Sequence, residues 1–224
     1  MRVEKSRPSR AAASDAAHAT YVVDEPAGVG ALSDWLLVLW HGAGGDIDER
    51  SLVALSRAAA EAGALVVRAR FPYRVAGKRA PDRMPALVES ARSTIAAARA
   101  LPDGERRRLA LGGRSMGGRV ASMLVADGFP AQALVFLSYP LHPAGKPEQL
   151  RDAHLPAIPC PMLFVEGDRD TLCDLSLLRP VLERIGARAE LVVFPGADHG
   201  MKKAPAAEIV RAATEFLARA AAPS

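Results

Sequence analysis

Residues 109–120, Leu-Ala-Leu-Gly-Gly-Arg-Ser-Met-Gly-Gly-Arg-Val, constrain this chain more than any other stretch. Leu109, Ala110 and Leu111 make a short apolar run of the kind a buried strand has. From Met116 onward Val120, Met123 and Leu124 recur at helical spacing. Between the two stands Gly113-x-Ser115-x-Gly117. A serine on a tight strand-to-helix turn projects its hydroxyl away from the sheet, and the crowded backbone calls for residues without side chains on either side. The helix that follows, opening at Met116, presents free N–H groups and a partial positive charge beside the hydroxyl. That is where an oxyanion forms in acyl transfer. The bland alternative is a plain turn with Ser115 as helix cap. A base, a carboxylate and a second N–H donor in the right places separate the two.

The rest of the chain supplies candidates in order. Residues 21–23 suit a short edge strand. Residues 35–40 form an apolar strand that runs straight into His41-Gly42-Ala43-Gly44-Gly45. A glycine-rich loop after a strand lets backbone amides approach a ligand, and Ala43 is the expected second N–H donor. The loop lacks the spacing of either phosphate-binding glycine motif. His41 braces it rather than reacts. Asp48 is expected to cap a helix to about residue 62, and Asp82 another from there to about residue 101, with Pro85 tolerated in the first turn. Strands follow at 64–69, 133–137, 161–166 and 190–194, with helices at 175–185 and 206–221. Strands alternating with helices predict a mostly parallel sheet covered on both faces. Ala43, Ser115, Asp170 and His199 each follow a strand directly, so all four fall at one edge of that sheet, where ligands bind.

Composition narrows the class. Half of the 224 residues are hydrophobic and 24% are charged, the profile of a globular domain. We expect an N-terminal tail over residues 1–18, rich in Ala, Ser and Arg, and a single domain over 19–224. The tail lacks the apolar segment of a secretory signal. No run approaches the roughly 20 apolar residues that span a bilayer. Cys160 and Cys173 fit no metal or redox spacing and read as free thiols of a reducing cytoplasm. Nothing in the pattern calls for a cofactor or metal. The net charge is +4. The only basic run, Arg106-Arg107-Arg108, precedes a strand and so lies opposite the serine; it reads as a solvated edge, not a nucleic-acid site.

A serine hydroxyl needs a base within hydrogen-bond reach and a carboxylate to orient that base. The chain order is Ser115, Asp170, His199. Asp168 and Asp198 compete for the acid. Asp198 adjoins the histidine and projects elsewhere, and Asp168 suits a turn bonding its own backbone. Asp170 is favoured.

These residues resemble the α/β-hydrolases, and more narrowly the small, lidless bacterial members near the dienelactone hydrolases. That group also includes a non-catalytic subunit of a histone acetyltransferase complex. The resemblance rests on HGAGG from residue 41, FPY from 71 and RAPDR from 79. It continues with GGRSMGGRVAS from 112, SYPLHPAGKPEQLR from 138, GDRD from 167 and DHGMK from 198. It implies an α/β-hydrolase fold without a lid domain. Ser115 would be nucleophile, Asp170 acid and His199 base, with Ala43 and Met116 as oxyanion donors. Gly44, Tyr73, Arg114, Tyr139 and His142 would line the substrate. Dienelactone hydrolases carry cysteine where this chain has Ser115, so their substrate does not transfer. The expected function is hydrolysis of an ester or thioester of a small acyl group, with a non-catalytic binding or scaffold protein as the alternative. Arg114, Lys78, Arg79, Lys146 and Lys202 on loops at the serine's edge set up an expectation of an anionic substrate, against the reading that they are solvated charges. No nucleic-acid or membrane partner is expected, and the oligomeric state is left open.

Overall fold

Strict alternation along the strands divides their side chains between two cores. In β2 (Trp35–Trp40), Leu36, Val38 and Trp40 enter one core while Trp35, Leu37 and Leu39 enter the other, all fully buried. A strand with no exposed residue needs cover on both faces, and the helices provide it. The computed structural model describes residues 20–221. The expected tail over 1–18 lies outside them.

In chain order the elements are β1 (Tyr21–Asp24), β2, α1 (Arg50–Glu61), β3 (Leu65–Ala69) and the short α2 (Pro72–Val75). Then come α3 (Met84–Arg99), β4 (Arg108–Arg114), α4 (Met116–Ala126), β5 (Ala133–Leu137), β6 (Met162–Gly167), α5 (Leu175–Ile185), β7 (Ala189–Phe194) and α6 (Ala206–Ala221). They build one seven-stranded sheet in the order β1-β3-β2-β4-β5-β6-β7. Only β1 runs antiparallel, pairing with β3 at the edge. Helices α3, α4 and α5 cover one face through residues such as Ile95, Leu124 and Leu182. Helices α1 and α6 cover the other through Leu55, Ala59, Ala213 and Phe216. Between β5 and β6 the chain makes only a single 3-10 turn, Leu155–Ala157, so no lid domain interrupts the edge. No helix among the described residues is long and apolar enough to cross a membrane.

Three expectations need correction. Neither Asp48 nor Asp82 caps a helix: α1 begins after Glu49 and α3 after Arg83, without side-chain caps. Pro85 in the first turn of α3 has no N–H to satisfy, which lowers the need for a cap there. Strand β4 does not stop at Leu111 but continues through both glycines to Arg114. The arginine run is also not a solvated edge, although Arg106 is exposed. Arg107 donates to the carbonyls of Ser33, Trp35 and Gly63, and Arg108 to those of Ala220 and Ala221. The Arg108 guanidinium also lies 5.0 Å from the Trp35 ring centroid. Carbonyls near the entry end of the sheet and at the end of α6 lack regular partners, and these two side chains satisfy them.

Candidate active site

Six parallel strands end along the same edge, and the loops leaving β2, β4, β6 and β7 meet there. Gly113 sits opposite Trp40 in the β2–β4 ladder. A side chain would be impossible at it: with φ at 144°, a Cβ would fall 2.1 Å from the Trp40 carbonyl oxygen. Gly117 is held as tightly, its hypothetical Cβ 2.2 Å from the same oxygen. These close approaches let β4 turn directly into α4. Ser115 occupies the turn at φ 49° and ψ −114°, a conformation costly for a residue with a side chain. Its N–H bonds the Leu137 carbonyl at 2.9 Å, fixing the strained residue to β5.

The strain aims the hydroxyl at His199. Ser115 Oγ is 2.9 Å from His199 Nε2, and His199 Nδ1 is 2.7 Å from Asp170 Oδ2. The second Asp170 oxygen accepts the Leu172 N–H at 2.7 Å, which orients the buried carboxylate. An ionised carboxylate only accepts, so Nδ1 carries the ring proton and Nε2 is free to accept from the serine. Asp168 does not touch the histidine, nor does it bond its own turn. Its Oδ1 accepts the Gly196 N–H at 2.5 Å, tying the loop after β6 to the loop after β7. Asp198 accepts the Lys202 N–H at 3.3 Å.

The loop after β2 is stiffened from two sides. His41 donates from Nδ1 to the Gly42 carbonyl at 2.7 Å and accepts the Phe71 N–H at Nε2 at 3.3 Å. Burial lowers its pKa, so the ring stays neutral in this role. Tyr73 donates its hydroxyl to the Ala43 carbonyl at 2.7 Å. Gly45 N–H closes the turn onto Gly42 at 3.0 Å.

The family model described as an alpha/beta hydrolase domain matches residues 33–222. The chain belongs to that family. Several solved structures share its fold. A lidless α/β serine hydrolase from Xanthomonas campestris is 23% identical, with 91% of this chain and 89% of that one covered and a TM-score of 0.70. A dienelactone hydrolase from Anabaena variabilis is 18% identical over 89% and 90% of the two chains, TM-score 0.70. Esterase 2 of Thermogutta terrifontis, solved as the enzyme phosphorylated by paraoxon, is 21% identical over 91% and 90%, TM-score 0.67. At these identities the likeness is one of fold.

In this α/β-hydrolase, the residues expected to line the substrate are mostly occupied elsewhere. Gly44 is exposed with open space beside it. Tyr73 is buried and spends its hydroxyl on the Ala43 loop; burial pushes that hydroxyl up to about 12. Tyr139 is fully buried between Phe136 and Phe164, its hydroxyl donated to the Arg151 carbonyl at 2.9 Å. It is a core residue, because the loop after β5 folds back onto the sheet. Arg114 turns aside to Glu49 and the His199 carbonyl. His142 is pinned by its own ring nitrogens, to the Pro143 carbonyl at 3.0 Å and the Asp174 N–H at 3.2 Å. It borders a depression of about 660 Å³ beside Asp170, lined also by Gly145, Asp168, Cys173 and Leu175.

Two further carboxylates, Glu166 and Glu49, stand near the site without a sequence signal. Glu166 is fully buried at the end of β6, where Oε1 accepts the Tyr139 N–H at 2.7 Å. Burial pushes its carboxyl well above the usual range. Burial likewise raises the Cys173 thiol beside it and takes the Cys160 thiol up to about 11. Both cysteines are free, and burial leaves them weakly reactive. The other carboxylate is Glu49, the partner of Arg114. No sequence signal separates it from Asp46 and Asp48, which stand on the same loop.

Proposed function

We propose that this chain is a serine hydrolase that cleaves an ester or thioester of a small acyl group through an acyl-enzyme. The reading rests on one observation. A serine in a strained turn lies 2.9 Å from a histidine nitrogen whose partner nitrogen is 2.7 Å from a buried aspartate.

In this mechanism Ser115 Oγ attacks the acyl carbonyl while its proton passes to His199 Nε2. Asp170 holds the ring in the required tautomer and stabilises the imidazolium that forms. The N–H groups of Ala43 and Met116 receive the oxyanion. Met116 opens α4, where amides have no intrahelical acceptor, and Ala43 sits in the loop braced by His41 and Tyr73. Collapse of the tetrahedral intermediate expels an alcohol or thiol, which leaves with the proton from His199. Water then attacks the acyl group, giving its proton to His199, and Ser115 departs with it. The edge without a lid offers little apolar wall, which favours short acyl groups over long chains. An anionic group on the substrate is the narrower version. It rests on Lys78, Arg79, Lys146 and Lys202 alone, all exposed, because Glu49 balances Arg114.

A fluorophosphonate probe tests the reading directly. Phosphorylation of a structural neighbour by paraoxon makes this chemistry the natural choice of probe. Wild type should label and hydrolyse short p-nitrophenyl esters, while Ser115→Ala should do neither. Equal labelling of the two proteins would remove the proposal. Matched anionic and neutral esters compared between about 0.01 and about 0.1 M salt test the narrower version, since only steered capture responds to screening.

A further inference from the structure

Arg114 stands in the serine's own turn, yet its side chain leaves sideways. Nε donates to Glu49 Oε1 at 2.6 Å, with the two side chains only 16% and 19% exposed. Nη2 donates to the main-chain oxygen of His199 at 2.6 Å. Nη1 lies against Gly42, where a Cβ would stand 3.4 Å from it. One guanidinium thus touches the loop after β2, the residue that precedes α1 and the histidine loop after β7.

Glu49 occupies the N-cap position of α1 but caps no backbone N–H there. Its Oε1 also accepts the Ser51 hydroxyl at 3.2 Å. Its Oε2 is buried without a hydrogen-bond partner, beside Gly45, where a Cβ would come within 2.9 Å. Helix capping does not account for a carboxylate placed this way. Recruitment by Arg114 does, because a planar, permanently charged fork can hold a carboxylate and a carbonyl at once.

We propose that Arg114 and Glu49 form a latch that positions His199 against Ser115. The inference rests on the serine-hydrolase reading above. The ring of His199 is held by Ser115 and Asp170, but its backbone belongs to a loop that follows the edge strand β7. The latch fixes that backbone through its carbonyl, and fixes it to the same loop that carries the Ala43 N–H. Base and oxyanion donor therefore share one reference point, the arginine of the serine's turn. A misplacement on the order of 1 Å at such a base costs about a hundredfold in rate. Both residues are positioning residues: neither reaches the reacting atoms.

The experiment compares wild type with Arg114→Lys, Arg114→Ala and Glu49→Gln on a short p-nitrophenyl ester, with Ser115→Ala as control. We expect kcat to fall about 10- to 100-fold with KM changed less than about threefold. Lysine should not restore the rate, whereas added guanidinium should restore part of it to Arg114→Ala. The low-field proton resonance of the His199–Asp170 hydrogen bond should broaden or move in each latch variant. Melting temperatures identify any variant that simply fails to fold; Arg114→Lys keeps the charge and serves as the folded test. Folded Arg114→Lys with wild-type kcat and an unmoved resonance would overturn the latch. If Ser115→Ala retains turnover, the hydrolase reading falls and the latch falls with it; if it is inactive and Arg114→Lys is normal, only the latch falls.

Discussion

Among the described residues two close serine–histidine pairs are anchored on or beside the same helix, and they are built oppositely. Ser115 precedes α4 and lies 2.9 Å from His199; Ser122 lies inside α4 and is 2.7 Å from His154. By distance alone the second pair is the better one. The difference lies in where the protons go. Ser122 donates its hydroxyl to the Arg119 carbonyl at 2.8 Å, one helical turn back. While that proton is on the Arg119 carbonyl, His154 donates from Nε2 to Ser122 Oγ, and the serine accepts. At Ser115 the carboxylate of Asp170 takes the Nδ1 proton, so Nε2 accepts and the serine donates. The Ser122–His154 arrangement is a structural clasp between α4 and the loop after β5. The Ser115–His199 arrangement has the polarity a nucleophile needs. A serine–histidine contact says little until the group on the other ring nitrogen is known.

The largest expected effect breaks the comparison at its centre. Ser115→Ala should lose about 10⁴-fold or more in kcat with unchanged folding, while Ser122→Ala should keep wild-type turnover. Equal losses in the two variants would mean that proton direction does not distinguish the pairs. Asp170→Asn is the next test. The amide presents an N–H to Nδ1, forcing the proton to Nε2 and giving His199 the polarity of His154; turnover should fall by about 10⁴. Asp168→Ala removes only the bond to the Gly196 N–H. A loss of more than about tenfold there would show that the neighbouring aspartate does more than join two loops.

For Ser122→Ala the readout moves from rate to stability. Ser122 is fully buried, so the substitution leaves the His154 N–H without its acceptor. The cost should be about 1–3 kcal/mol, measured by urea unfolding. No change in the unfolding midpoint would mean that the clasp contributes nothing.

Much of the site was legible because parallel topology converts strand ends into neighbours. Ser115, Asp170 and His199 are far apart in sequence, and each directly follows an apolar strand. Once the alternation of elements was read, their meeting at one edge followed. Asp170 was chosen over Asp168 on a ground the structure does not bear out, since Asp168 bonds the Gly196 N–H of another loop and not its own turn. What escaped was anything decided by side-chain direction. Tyr139 stands on the right loop, yet Phe136 and Phe164 draw its ring into the core. Arg114 stands at the right turn, yet Glu49 pulls it away. The alternation that identifies a strand does not say which of three acids on a loop will answer an arginine. Nor could it show that Arg107 and Arg108 serve carbonyls of distant segments, because those partners follow from tertiary packing.

The smallest expected effect sharpens the comparison at its quiet end. Burial, reinforced by Arg119 and opposed by Asp152, lowers His154 to about 4 from its ordinary 6.5. The unfolded chain therefore binds a proton over a window in which the folded chain does not. Stability from this group is fully present above about pH 6.5 and is lost progressively as pH falls toward 4; below that the folded histidine also protonates and the loss stops growing. His154→Gln retains an N–H that can meet Ser122 but cannot titrate. Comparing the melting temperatures of wild type and His154→Gln from pH 7 to pH 4 cancels the carboxylates and His41, which titrate in both. The wild type should lose ground steadily against the variant across that window, with ester hydrolysis at pH 7 the same in both. Parallel curves would mean that the folded and unfolded chains bind the His154 proton alike, so that burial at the clasp does not hold the ring neutral.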